Sequence, residues 1–154
     1  MNVEKQYDKI YRYCYFKMYD DQIAQDITQE TFLRFCKQGL NLGSDKELPY
    51  LYTIAKNLCI DHFRRRTTES LEEITEEVID DPTEDLISNL TLRMTISKLP
   101  EDEQELIFLR YVNEVSITTI CKITGLSRFA VYRKLSKSLK WLKEELLKEG
   151  FSNG

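Results

Sequence analysis

Apolar positions recur at intervals of three and four in one segment after another, the spacing of helices with one buried face. Residues 3–19 place Ile10, Cys14 and either Lys17 or Met18 at helical spacing, among the aromatics Tyr7, Tyr11, Tyr13, Tyr15, Phe16 and Tyr19. Asp20-Asp21 breaks the pattern and offers an N-cap. Residues 22–38 form the next predicted helix, with Ile23, Ala24, Ile27, Thr31, Phe32 and Phe35 on its stripe and Gly39 to end it. Residues 39–48 read as a loop whose Leu40 and Leu42 either tuck inward or are offered to a ligand. Pro49 suits a first helical turn. After it, Leu51, Ile54, Ala55, Leu58, Cys59 and His62 define an amphipathic helix over 50–63. Its outer face offers Tyr50 or Tyr52, then Thr53, Lys56, Asn57, Asp61 and Arg64, followed by Arg65-Arg66.

The second half has the same periodicity after a weak stretch. Residues 67–80 hold only Leu71, Ile74 and Val78 at helical spacing. Asp81-Pro82-Thr83-Glu84 has the form of a helix start. Leu86, Ile87, Leu90 and Met94 carry that helix to about Lys98. Leu99-Pro100 opens another, with Glu101, Asp102 and Glu103 where the helix dipole favours acids, and Leu106, Ile107, Leu109 and Val112 along it. Two final segments carry Ile117, Ile120 and Cys121, then Val131, Leu135, Leu139 and Leu142. Gly125-Leu126-Ser127 between them supplies a residue that accepts left-handed backbone and a hydroxyl N-cap. Residues 150–154 are expected to fray. The predicted class is all-α: two small helical domains, 1–66 and 81–149, joined by a linker over 67–80, with a helix-turn-helix in the second.

Charge sharpens this division. The chain has a net charge of −4, which hides three unequal parts. Residues 1–66 carry 11 basic and 9 acidic side chains, residues 67–92 carry nine acids and no base, and residues 93–154 carry 11 basic and 8 acidic. Two mildly basic parts therefore flank an acidic connector. Between Val115 and Lys143 there is no Asp or Glu. A short-turn helix pair with a cationic second helix points to duplex DNA, against the plainer reading of two packed bundle helices with a solvated lysine face.

Other chemistry finds little support. Hydrophobic residues make up 42% and charged ones 31%, which suits a soluble globular chain, and 3 Pro with 5 Gly disfavour β-rich or low-complexity architecture. No apolar run approaches the ~18 residues of a membrane span, and Met1-Asn2-Val3-Glu4-Lys5 has no signal-peptide character. A cytoplasmic protein without membrane insertion is expected. Cys14, Cys36, Cys59 and Cys121 are far apart on apolar helical faces, with no Cys-x-x-Cys pair and one His in the chain. They read as reduced core residues, and no metal or cofactor is expected. No phosphate loop or nucleophile–base set suggests an enzyme or a small-molecule substrate.

Three blocks, in order, resemble the extracytoplasmic-function (ECF) sigma factors of bacterial RNA polymerase, in the sigma-70 family. Asp26, Ile27, Gln29 and Phe32 stand in the places of the family's region 2 acidic-Asp-Leu-x-Gln-x-x-Phe block. Leu51, Ile54, Ala55, Asn57, Asp61, Arg64 and Arg65 match the block that follows, with Tyr50 in place of its usual Trp. Residues 99–142 look like region 4, from Leu99-Pro100 through Leu109-Arg110 to Ile120, Gly125-Leu126-Ser127 and Val131. The chain departs from the family at Thr119-Ile120-Cys121, where Glu-Ile-Ala is common, and at Phe129-Ala130 before Val131.

The resemblance implies a non-enzymatic initiation factor. The first domain would bind the β′ clamp helices of core polymerase and open the minus-ten element. The second would bind the minus-thirty-five element and the β flap. The linker would thread toward the active-site cleft, and an anti-sigma factor is a candidate partner. The polar stripe Asp26, Gln29, Glu30 and Arg34 becomes the candidate for polymerase contact, where the residues alone suggest a solvated face. Tyr50, Lys56, Asn57, Asp61, Arg64 and Arg65 become the candidates for minus-ten DNA, and the 39–48 loop for a flipped base. The side-chain chemistry agrees: arginines for phosphate, an amide for base edges, aromatics for unstacked bases. Asp61 either orients Arg64 and Arg65 or only stabilises its helix. On the recognition helix Arg128, Tyr132 and Arg133 are expected at base edges, Phe129 at a thymine methyl, and Lys134 and Lys137 at phosphates. The competing reading is a stand-alone helix-turn-helix regulator with residues 1–66 as a sensor or dimerisation domain. Such a domain has no need of an exposed Asn-Asp-Arg-Arg helix. An adaptor or anti-sigma protein is disfavoured by the basic second helix.

Overall fold

The computed structural model describes residues 3–38, 44–69 and 84–148. Every described element is helical: α1 (Val3–Met18), α2 (Asp21–Lys37), α3 (Ser44–Glu69), α4 (Glu84–Ile96), α5 (Glu101–Ile107) running into a π-helical turn (Phe108–Val112), α6 (Ile117–Thr124) and α7 (Arg128–Lys148). The expected stop at Gly39, the loop leucines Leu40 and Leu42, the linker core 70–80, the start at Asp81-Pro82-Thr83 and the 150–154 tail lie outside the described residues.

The N-terminal half is a three-helix packing of α1, α2 and α3. Tyr19, in left-handed backbone at φ 58°, turns the chain after α1. Asp20 then caps α2 by accepting from the Ile23 amide at 3.0 Å, as the Asp-Asp pair predicts. Thr28 and Thr31 are buried on α2 at no polar cost, because each hydroxyl donates to the carbonyl four residues back. Ile10, Cys14 and Met18 of α1 meet Ala24 and Ile27 of α2 and Leu51, Ala55 and Cys59 of α3 in the core.

Five expectations need correction. Residues 44–48 are helical, so Pro49 lies inside α3 rather than in its first turn, where its missing N–H leaves one carbonyl without its usual partner. Tyr52 is buried, 1% exposed, and so belongs to the core rather than to the outer face; Tyr50 is the outward one of the two. Cys36 is exposed, unlike buried Cys14 and Cys59. On α7 the inward position is Ser138, and Leu139 faces out. Val112 is 51% exposed because the π turn inserts an extra residue and rotates the face.

The two halves are not separate in space. Their buried apolar residues form one continuous cluster, and α6 packs directly on α3. Phe16 of α1 stacks on Phe108 of the π turn with ring centroids 4.5 Å apart, and Tyr13 lies 6.1 Å from the same ring. Burying such side chains contributes roughly 1.5–3 kcal/mol each before entropy is counted.

Candidate nucleic-acid interface

The helix-turn-helix forms as its residues predict. Gly125 takes φ 77° and closes α6, with its amide bonded to the Cys121 carbonyl at 2.8 Å. Ser127 Oγ accepts from the Ala130 amide at 3.1 Å and starts α7. Ser116, which the sequence pattern did not single out, caps α6 by accepting from the Thr119 amide. Val131, Leu135, Ser138 and Leu142 hold α7 against the rest of the half.

That anchoring divides the six predicted recognition residues among three settings: an outer stripe, the contact with α6 and the side of α5. Phe129, Tyr132 and Arg133 form the outermost stripe, with Phe129 73% exposed and the Arg133 guanidinium 5.6 Å from its ring. Ser136 continues this stripe one turn on, a position the sequence argument missed for want of charge. Arg128 donates to Thr118 Oγ1 at 3.0 Å, which ties the start of α7 to α6. Lys134 and Lys137 flank the stripe on the side of α5. Lys134 Nζ pairs with Asp102 at 2.7 Å, and Lys137 lines a shallow cleft with Glu103 and Trp141. The hydrogen bond from Lys134 holds the Asp102 carboxyl below its usual range.

On the N-terminal half, Lys56, Asn57, Asp61, Arg64 and Arg65 are all on the exposed side of α3, and Tyr50 is half-buried. Tyr50 donates its hydroxyl to the Gln38 side chain and sits beside Phe35. The polar stripe of α2 runs alongside. Glu30 pairs with Arg34 at 3.0 Å, Asp26 accepts from Gln22, and Gln29 is exposed. Asp26, Glu30 and Arg34 share one polar cleft with Asp61, His62 and Arg65, so the two predicted surfaces of this half meet at an edge. His62 lies at that boundary, as its place beside the apolar stripe implies.

Sequence reasoning missed the contact between the halves. Glu105 is buried on α5, and its three partners all come from the other half. Its Oε1 meets Lys17 Nζ at 2.7 Å and accepts from the Tyr13 hydroxyl at 3.0 Å, and its Oε2 meets Lys56 Nζ at 3.4 Å. Burial alone would raise its pKa. The hydrogen bond and charge of Lys17, the charge of Lys56 and the Tyr13 hydroxyl outweigh burial and hold it below the ordinary value. Burial, with the Glu105 charge, pushes the Tyr13 phenol far up. A second polar contact lies nearby, where Asn113 Nδ2 donates to the Lys9 carbonyl at 2.8 Å and to the Tyr52 hydroxyl at 2.7 Å. The only available signal was an acid directly before an apolar run, Glu105 ahead of Leu106-Ile107-Phe108-Leu109.

Among the described residues no cluster of side chains is suited to a metal ion, and no helix is long and apolar enough to cross a membrane. Comparison with known proteins matches residues 3–69 to Sigma-70 region 2 and residues 89–142 to Sigma-70 region 4. The chain is 31% identical over 140 residues to the ECF RNA polymerase sigma factor BldN of Streptomyces coelicolor, covering 80% of this chain and 51% of that one. It is 31% identical over 159 residues to the ECF RNA polymerase sigma factor SigW of Bacillus subtilis, covering 90% of this chain and 83% of that one. The chain thus spans about half the length of the first relative and most of the second. A solved structure of the sigma factor RpoE in complex with the anti-sigma factor NepR from Bartonella quintana matches with TM-score 0.68 at 22% identity. That match covers 95% of this chain and 94% of that one, and it establishes the fold.

Proposed function

The chain belongs to the extracytoplasmic-function sigma factors of the sigma-70 family, and from that premise we propose that it binds core RNA polymerase and directs promoter-specific initiation of transcription. It acts in the cytoplasm as an initiation factor and not as a catalyst, with core polymerase and promoter DNA as its partners and an anti-sigma factor as a candidate partner. Residues 1–66 bind core and open the minus-ten element. Residues 67–80 link, and residues 81–149 bind the minus-thirty-five element.

The observation that carries this reading is the presence, on one chain, of two unlike helices with exposed basic faces, α3 and α7. Lys56, Asn57, Asp61, Arg64 and Arg65 are exposed on α3, and their chemistry suits phosphates and an unstacked base, which supports the minus-ten role. Asp26, Gln29, Glu30 and Arg34 on α2 face away from the α1–α3 core and supply the contact to the β′ clamp helices. The Phe129–Tyr132–Arg133 stripe reads base edges in the major groove, with Lys134 and Lys137 on phosphates. A stand-alone regulator would use the second surface and leave the first idle.

The test mixes the full chain with core polymerase and genomic DNA and maps transcript starts. New starts that depend on both proteins are expected. Binding of the chain to promoter duplex without any effect on core polymerase would move the assignment to the stand-alone regulator.

A further inference from the structure

A cavity of about 280 Å³ lies among α1, α4, α5 and the π turn. None of the residues assigned to DNA or to polymerase lines it. Its walls are mostly apolar, with Phe16 from α1, Leu92 and Ile96 from α4, Ile107 from α5, and Phe108 and Val112 from the π turn. Leu92 and Val112 are left 39% and 51% exposed, so the cavity opens to solvent through apolar side chains. Of its polar groups, Gln104 already donates to the Ser97 and Leu99 carbonyls. The other two are cationic: Arg12, which is exposed, and Arg93.

Arg93 is the group that this lining does not explain. Its guanidinium lies over the Tyr19 ring and 5.9 Å from the centre of the Tyr15 ring. Its Nη2 is buried and has no hydrogen-bond partner. Burial disfavours its charge and holds its pKa below the ordinary value, and the neighbour that opposes this is the Tyr15 hydroxyl, not a carboxylate. A buried cationic donor without an acceptor is costly, and an anion in the cavity would offset that cost.

We propose that this cavity binds a small apolar monocarboxylate, of the class of medium-chain fatty acids. The carboxylate accepts from Arg93, with Arg12 adding charge at the entrance, and the hydrocarbon chain lies against Phe16, Ile96 and Phe108. Size narrows the class. At roughly 30 Å³ for each water-sized group, about nine such groups fill the space, which suits an acid of about eight carbons. The apolar walls disfavour a hydrated phosphate, and the two guanidiniums disfavour an amine.

The experiment titrates the full chain with octanoate, octanol and octylamine, all below micelle-forming concentrations. Calorimetry gives affinity, and amide NMR shifts locate the site. Octanoate should bind at least tenfold more tightly than octanol, with shifts centred on α1, α4 and the π turn, and octylamine should not bind. From hexanoate to octanoate, affinity should rise about fourfold per methylene, then level off once the chain outgrows the cavity. Arg93→Gln should bring octanoate down to the level of octanol and leave octanol unchanged. Leu92→Trp, which fills the opening, should weaken both. Helical circular dichroism confirms that each variant is folded, and the comparison of octanoate with octanol needs no variant. No octanoate binding, equal binding of octanol, a fourfold rise that continues to dodecanoate, or a folded Arg93→Gln that binds octanoate as the wild type does would each overturn the site. None of these readouts uses DNA or polymerase, so their outcome is separate from that of the initiation assay.

Discussion

Asp102 and Glu105 lie three residues apart on α5, and each has a lysine Nζ at 2.7 Å. Asp102 and Lys134 have side chains 54% and 31% exposed, both belong to the C-terminal half, and each can trade the other for water. Glu105 and Lys17 are 8% and 12% exposed and belong to different halves. Distance is the same and consequence is not, because the energy of an ion pair is set by what each ion would meet on leaving it. Removing a partner from the buried contact strands a charge, whereas removing one from the surface contact hydrates it. One helix thus bears a buried contact that ties the two halves together and an exposed one that lies within the C-terminal half alone.

The comparison is broken most severely by Glu105→Ala. Of its carboxylate partners Lys17 would keep the exposed Glu101, at 3.5 Å, and the packed form should lose about 3 kcal/mol or more. Separation of the halves lets Lys17 reach water and limits the global loss. Urea unfolding should therefore separate into two transitions. Trp141 is the only tryptophan and reports the C-terminal half, while circular dichroism reports both. The two probes should coincide in the wild type and diverge in the variant. Coincident curves with a loss under about 1 kcal/mol would show that Glu105 is solvated like Asp102.

Acid should separate the two carboxylates in the same order. The folded pKa of Glu105 lies below the ordinary 4.5, so its stabilisation is present above that value and is lost as pH falls through the depressed one. Asp102 is lowered from 3.8 in the same sense but is mostly exposed, and its share is small. Stability measured from about pH 6 down to pH 3 should fall more steeply in wild type than in Glu105→Gln. Parallel curves would contradict the charge assignment.

What could be read from the sequence follows how local each signal is. Gly125 and Ser127 act on the next few residues, and both behave as their chemistry dictates. The exposed side of α3 was legible because four turns of periodic apolar residues fix its rotation. The error at Tyr52 arose because a tyrosine is equally at home in a core when its hydroxyl finds a partner, and that partner, Asn113, is 61 positions away. Hydrophobicity alone favours Leu139 over Ser138 as the inward residue of α7, but packing against α5 sets the phase of the helix and turns Ser138 inward. The π turn has no composition of its own, yet it places Phe108 and Asn113 against the other half. Contacts between halves join residues 49 to 104 positions apart, and no periodicity encodes them.

Asn113→Ala removes two donated bonds and should cost about 1–2 kcal/mol, less than Glu105→Ala because no charge is stranded. The same two-probe urea curves measure it, and a cost equal to that of Glu105→Ala would erase the distinction between polar and ionic ties. On the DNA side, Lys137→Ala should weaken binding roughly fivefold on every sequence and lower the salt slope by about one. Titrations on specific and scrambled duplex at several salt concentrations check this, and a loss confined to the specific duplex would place Lys137 at a base.

The smallest effect is expected at Asp102→Asn. Exposed pairs of this kind contribute about 0–1 kcal/mol, and the amide can still accept from Lys134, so the unfolding free energy should move by less than about 0.5 kcal/mol. Duplex binding should move in the opposite direction. With Asp102 neutral, Lys134 presents its full charge to phosphate and a carboxylate leaves the rim of the DNA face. Affinity for minus-thirty-five duplex should rise about two- to threefold at low salt, and the gain should fade as salt screens it. Lys134→Ala in the Asp102→Asn background should then cost more affinity than in the wild type, because the lysine is no longer half-neutralised. Equal costs in the two backgrounds would mean that Asp102 does not temper Lys134 when DNA is bound, and the surface pair would have no role in either stability or recognition.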